Sequence, residues 1–335
     1  MPNIDMPLEQ LKTYRGVSPK PADMDSFWSA ALEEVKNTKA ALEVKPANFR
    51  LAGFECSDVF FDGVRNGRIH AKMIKPAGKN NLPIALHFHG YTGRAGEWID
   101  YVPYAAAGFC VLAMDCRGQG GRSTDSGGTT GNTQNGHIIR GLDDGPENLL
   151  FRHIFLDTVQ LAAVAMGLDF TDETRVCAYG GSQGGALTLA CAALVPQVSL
   201  LAPVYPFLCD YRRVWEMGLP TGAYRELFSY FRMFDPLHER EDEIFNNLGY
   251  IDVANLAERI EGETMFAIGL CDDVTPPSTC FAAYNNITAK KELYFYPDFG
   301  HEGLPGFNDL VLQKFQKNFN CAYGCNDPYL QCAKL

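Results

Sequence analysis

The residues best placed to do chemistry sit in one short stretch, Gly180-Gly181-Ser182-Gln183-Gly184. An apolar run ending in Val176-Cys177-Ala178 precedes it, and Ala186 to Leu194 follows with the composition of a packed helix. Strand, Gly-x-Ser-x-Gly and helix together describe a nucleophile elbow, in which a sharp turn lifts the serine hydroxyl clear of the sheet. Gly180 and Gly184 would let strand and helix approach without a Cβ between them. The amide of Gln183 opens the helix, where unpaired N–H groups can meet an oxyanion. A serine nucleophile needs a base, and the base needs a partner that orients it. Downstream of the elbow only two histidines remain, His238 and His301. His238 lies in a charge-rich segment. His301, in Phe299-Gly300-His301-Glu302-Gly303, follows an apolar strand pattern and could return to the serine from a loop. The acid should follow the run that ends at Leu270. Asp272 and Asp273 both qualify, with Asp298 further off; Asp272 is preferred because it is nearer the strand end. A second oxyanion donor belongs in the loop after His89-Gly90, which by position makes it the amide of Tyr91.

A rival chemistry starts from His87-x-His89, two imidazoles on one face of a strand. A metal centre there would need further histidines and carboxylates at later strand ends, and the other five histidines are scattered. No metal is expected. No dinucleotide or phosphate-loop fingerprint follows a strand, so no organic cofactor is expected either.

These residues need a scaffold. Residues 83–90, 109–115, 198–205, 263–270 and 291–296 read as apolar strands, alternating with helical patterns at about 147–168 and 306–319. That alternation predicts an α/β-hydrolase fold, a mostly parallel central sheet flanked by helices. Residues 57–61 and 69–75, around Asp62-Gly63, suggest an antiparallel edge. An N-terminal helical extension is expected, with Asp25 as its N-cap and Phe27, Trp28, Ala31, Leu32 and Val35 at helical spacing. Residues 207–260 read as a helical insertion rich in aromatics, expected to close over Ser182. Gly118 to Gly136 is a long polar loop of the kind that carries function. With no repeat and no linker, residues 1–335 read as one domain with a polar, cysteine-bearing tail at 320–335.

Composition narrows the partners. The net charge is -11, which disfavours nucleic acid and anionic membrane and suits a small neutral substrate. The N-terminus lacks a signal-peptide pattern and no apolar run would span a bilayer, so a cytoplasmic location is expected. Cys110, Cys177 and Cys191 lie in apolar runs, as reduced, buried cysteines do. Cys321, Cys325 and Cys332 cluster in the tail, one ligand short of a structural zinc site.

The chain resembles the acetyl xylan esterase and cephalosporin C deacetylase family of serine esterases. The residues that carry the likeness are Arg117-Gly118-Gln119, Gly180-Gly181-Ser182-Gln183-Gly184 and His301-Glu302, supported by Gly136-His137 through Gly141, Pro206-Phe207-Leu208-Cys209 and Gly269 through Thr279. The resemblance implies Ser182 as nucleophile, Asp272 as acid, His301 as base, and the amides of Tyr91 and Gln183 as the oxyanion hole. It also implies removal of acetyl groups from xylo-oligosaccharides and cephalosporins, and assembly as a hexamer. A serine peptidase or thioesterase, or a binding module on a hydrolase fold, remains the alternative on residues alone.

Overall fold

Alternation of side chains builds the sheet. In β4 (Leu82–Phe88), Ile84, Leu86 and Phe88 enter one core while Ala85 enters another. In β5 (Cys110–Met114), Cys110, Leu112 and Met114 take the first face, Val111 and Ala113 the second. A strand buried on both faces reads as a continuous apolar run, which is why its period is hidden in the sequence. The structure, a computed structural model, describes residues 4–125 and 133–320. The remaining strands are β1 (Glu43–Pro46), β2 (Phe54–Asp62), β3 (Arg68–Pro76), β6 (Thr171–Gly181), β7 (Val198–Val204), β8 (Glu263–Gly269) and β9 (Lys291–Tyr296). They form one nine-stranded sheet in the order β1-β2-β3-β5-β4-β6-β7-β8-β9. The pairings from β1 to β5 are antiparallel. Those from β5 through β9 are parallel. The expected antiparallel edge is therefore present, longer than the sequence pattern suggested and extended by β1.

Helices cover both faces. Near the N-terminus stand α1 (Leu8–Leu11) and α2 (Met24–Asn37). The short α3 (Val102–Ala106) packs on the smaller core with α11 (Phe307–Asn318). The larger core holds α4 (Leu150–Met166) and α5 (Gln183–Leu194), the latter buried on every side. Between β7 and β8 run α6 (Tyr211–Glu216), α7 (Arg225–Phe234), α8 (Glu241–Gly249) and α9 (Val253–Leu256), and α10 (Pro277–Asn286) follows β8. One start differs from the sequence reading. The N-cap position of α2 is Asp23, not Asp25, because the Asp23 carbonyl accepts the Phe27 amide at 2.9 Å. The Asp25 side chain instead reaches Arg259 at 3.0 Å.

A buried ion pair braces the sheet beneath the turn that joins β2 to β3. Arg117, fully enclosed, holds Asp157 of α4 through Nε at 2.7 Å and Nη2 at 2.5 Å, and donates to the Val64 carbonyl at 3.0 Å. The guanidinium fills the space a side chain would take on the turn: a Cβ on Gly67 would lie 2.5 Å from its Cζ. Burial pushes the thiols of Cys110 and Cys191 up to about 12, so both behave as small apolar side chains. Among the described residues no helix is long and apolar enough to cross a membrane. Cys321, Cys325, Cys332 and the middle of the Gly118–Gly136 loop lie outside the described residues.

The N-terminal arm is fastened across the insertion. The Asp210 carboxylate accepts the Tyr14 hydroxyl at 2.7 Å and the amides of Val17 and Ser18 at 3.0 and 2.8 Å. Asp5 reaches Arg213 at 2.9 Å and the Ser278 amide at 2.7 Å. Beneath Asp210 lies a second buried acid, Asp252, which caps α9 and accepts the Asp210 amide at 3.0 Å. Burial, then the neighbouring Asp210 charge, pushes its carboxyl up to about 7.

Candidate active site

The end of β6 and the start of α5 meet at Ser182, whose φ of 57° and ψ of -120° are strained for a residue with a side chain. The turn is tight enough to explain both motif glycines. A Cβ on Gly180 would lie 2.6 Å from the Phe88 carbonyl oxygen, and one on Gly184 only 2.1 Å from the same atom. Backbone bonds hold the strained residue: its amide donates to Val204 and its carbonyl accepts Phe207, both at 3.0 Å.

Three side chains from separate strand ends then fall into a row. Ser182 Oγ lies 3.0 Å from His301 Nε2, and His301 Nδ1 lies 2.8 Å from Asp272 Oδ2. Asp272 also accepts the amides of Val274 and Thr275 at 2.9 and 2.8 Å, and the Thr275 hydroxyl at 2.9 Å. These donors fix a fully enclosed carboxyl and place the proton of His301 on Nδ1, which leaves Nε2 free to accept from the serine. Asp273 and Asp298 are exposed and His238 sits on the surface beside Glu241. None of them joins the row. Two neighbours complete the surroundings, and neither has a role in the sequence reading, although Tyr205-Pro206-Phe207 was expected to come together over Ser182. Thr275 bridges Asp272 and, at 3.3 Å, His301, and the Asp-x-x-Thr spacing was its only signal. Tyr205 packs its ring 4.5 Å from the His301 ring.

Ser182 and His301 open into a cavity of about 420 Å³, lined also by Gly90, Tyr91, Thr92, Gln134, Asn135, Phe207, Gly222, Ala223 and Val274. Among the described residues, no Asp, Glu, Lys or Arg side chain stands in that lining. The loop carrying Tyr91 is set by His89, which accepts the Cys116 amide on Nε2 at 3.0 Å and donates from Nδ1 to the Gly90 carbonyl at 2.7 Å. Burial lowers the pKa of His89, in keeping with a neutral ring in that role. Gln183, first residue of α5, is fully enclosed. Its side chain forms a reciprocal amide pair with Gln119 at 2.7 and 3.0 Å and touches the His89 carbonyl at 3.3 Å. The third residue of Arg117-Gly118-Gln119 thus sits behind the serine turn, a partnership across 64 residues that leaves no local pattern.

The insertion meets the cavity differently from the expectation. Of its aromatics among the described residues, only Phe207, at its first position, lines it. Tyr224 packs behind Phe207 at 4.6 Å, and Tyr211 behind Tyr224. Trp215, Phe228, Phe231 and Phe245 pack on one another, and Phe234 is exposed. Aromatic rings in a segment this rich first satisfy their own small core, and Gly222 and Ala223 face the cavity instead. The two histidines of His87-x-His89 also part. His87 lines a separate cavity of about 560 Å³ with Tyr101, Tyr104 and Tyr179, and burial pushes its imidazole down to about 3. Among the described residues no group of three or more His, Cys, Asp and Glu side chains could hold a metal.

Comparison with known proteins agrees with this fold. The profile of the acetyl xylan esterase (AXE1) family matches residues 1–319. Acetyl xylan esterase 1 from Thermoanaerobacterium sp. JW/SL YS485 superposes with a TM-score of 0.91 at 54% identity, over 94% of this chain and 99% of that one. The acetyl xylan esterase from Paenibacillus sp. R4 gives a TM-score of 0.87 at 35% identity, over 93% and 99%. The acetyl esterase Axe7A of Xylanibacter ruminicola is 30% identical over 295 residues, which are 86% of this chain but 64% of the relative. The chain therefore spans less than two thirds of that relative's length. An α/β-hydrolase sheet, a serine on a strained strand-to-helix turn and a family match over nearly the whole described length converge on one conclusion: this chain belongs to the acetyl xylan esterase family.

Proposed function

We propose that the protein is a serine esterase that removes acetyl groups from acetylated xylo-oligosaccharides and from related small esters such as cephalosporin C. The observation that carries this reading is the row Ser182 Oγ, His301, Asp272, at 3.0 and 2.8 Å, opening into an uncharged cavity. His301 takes the Ser182 proton on Nε2 as the oxygen attacks the acetyl carbonyl. Charge builds on the carbonyl oxygen, held by the amides of Tyr91 and Gln183. The sugar hydroxyl leaves with the proton from His301, and water repeats the cycle on the acetyl-enzyme. Asp272 holds the imidazole in the required tautomer, and no metal or organic cofactor enters a step. Phe207, Ala223 and Val274 suit an acetyl methyl, whereas Thr92, Gln134 and Asn135 offer hydrogen bonds to sugar hydroxyls. A peptidase would need charged anchors for chain ends, and the described lining has none. We take residues 1–335 as a single domain, working as a hexamer on small substrates.

Two measurements test the reading. A p-nitrophenyl phosphonate should label Ser182 with stoichiometric release of p-nitrophenol. Across p-nitrophenyl esters, acetyl and propionyl should react well and hexanoyl poorly, because each surplus methylene in a closed slot costs about 1–3 kcal/mol. Val274→Ala should extend the limit by about one carbon. Efficient octanoyl hydrolysis by the parent enzyme would sink the acetyl assignment.

A further inference from the structure

Glu226 stands in the first turn of α7 and is 5% exposed, in an insertion whose other charges are mostly at the surface. A carboxyl taken out of water must find donors or its burial is costly. Glu226 finds two: one on Tyr91, which lines the active-site cavity, and one on Ile138, close in sequence to the lining residues Gln134 and Asn135. Its Oε1 accepts the Tyr91 hydroxyl, and its Oε2 accepts the Ile138 amide at 2.9 Å. The His137 ring stands edge-on to Tyr91 at 5.3 Å, and Phe207 at 5.6 Å encloses the same ring. Burial, then the Glu226 charge, raises the pKa of the Tyr91 phenol, which stays a donor throughout the neutral range.

We infer that Glu226 is a positioning residue for the oxyanion hole: it grips the Tyr91 side chain so that the Tyr91 amide points where negative charge develops. The inference rests on the reading that this amide is an oxyanion donor. The Tyr91 loop is held at one end by His89, whose Nδ1 ties down the Gly90 carbonyl. On the other side Thr92 turns the chain with a φ of 58°, and the Gly93 carbonyl beyond it accepts the Gly120 amide at 2.9 Å. Glu226 adds, from α7, a hold on the Tyr91 side chain itself. Through Ile138 it also ties down the segment that brings Gln134 and Asn135 to the cavity. An oxyanion contact strengthens in the transition state, so a loosened Tyr91 amide lowers kcat and kcat/KM together and leaves KM nearly unchanged.

The test uses Glu226→Ala, Glu226→Gln, Tyr91→Phe and the Glu226→Ala/Tyr91→Phe pair. Each is assayed on p-nitrophenyl acetate, with active sites counted by phosphonate titration of Ser182. Removing an oxyanion donor outright costs about 10²–10³ in kcat, so misplacing one should cost about 10–100-fold in Glu226→Ala and in Tyr91→Phe. KM should stay within about twofold. The double variant should be no worse than the poorer single one, because both cut the same link. Glu226→Gln keeps one acceptor oxygen for Tyr91 and should recover much of the loss. Full kcat per titrated site in Tyr91→Phe or in Glu226→Ala overturns the inference, as does a Glu226→Gln variant no better than Glu226→Ala. So do losses that multiply in the double variant, or a lowered melting temperature with unchanged turnover per site. If Glu226→Ala does not fold, Tyr91→Phe and Glu226→Gln decide the matter alone. A parent enzyme that the phosphonate fails to label at Ser182 removes the underlying reading instead, and the inference with it.

Discussion

The acid of the proposed triad shows what a single residue's surroundings decide. Asp272 and Asp273 are neighbours of the same type, yet one is enclosed by four donors and the other faces water. Asp272→Asn should cut kcat by about 10⁴, because an amide cannot hold the same imidazole tautomer. Asp273→Asn should stay close to parental turnover. Ser182→Ala and His301→Ala should each cost about 10⁶ in kcat with the fold intact, since residues that act as a unit fail as a unit. Reversal of the two aspartate effects would refute the acid assignment. Ser182 was legible because an elbow is a local device whose glycines announce it, and His301 because it alone follows the later strands at a loop. Thr275, Gln119 and Glu226 were not, since their partners are set by packing. The Tyr91 to Glu226 contact joins residues 135 apart, and no window of sequence contains both.

At the scale of elements, burial on both faces made β4 to β8 easy to find as apolar runs and hard to order across the sheet. The short β1, exposed along its length, had no such signal. The insertion aromatics were visible but their direction was not, because aromatic content does not say which core the rings enter. Arg117 offers the sharpest test of how elements are braced. It joins β5, the β2–β3 turn and α4 through one enclosed guanidinium. Asp157→Asn leaves that charge only the more distant Asp125 carboxylate, 3.5 Å from Nη1, and loss of one partner of a buried pair costs up to about 3–5 kcal/mol. Chemical denaturation should read a loss of that size. A change under about 1 kcal/mol would show that the pair is not a brace.

For the whole molecule, one buried acid beneath the arm makes stability depend on pH. The Asp252 carboxyl has a pKa near 7 in the folded chain, above the usual carboxylate value near 3.9. A group whose pKa is raised by folding contributes stability at pH below its unfolded value and loses it as pH rises through the folded one. Stability should therefore decline between about pH 4 and pH 7 from this source. Asp252→Asn, neutral at every pH, should flatten that decline, and denaturation curves at pH 5 and pH 8 would read the difference. An unchanged slope in the variant would remove Asp252 as the cause.

The fastening of the N-terminal arm also sets an order of events during synthesis. Val17 meets Asp210, 193 residues later, and Ser278 meets Asp5 across 273. At about 5–20 residues per second, the arm waits on the order of ten seconds or more before its partners leave the ribosome. Until then Tyr14 and Leu11 have nowhere to dock, so the arm is the last piece sewn in, after the parallel strands have begun to pair. Its bonds should form on the downhill side of the folding barrier. Tyr14→Phe should then speed unfolding and leave the refolding rate almost untouched, a split that stopped-flow refolding and unfolding would resolve.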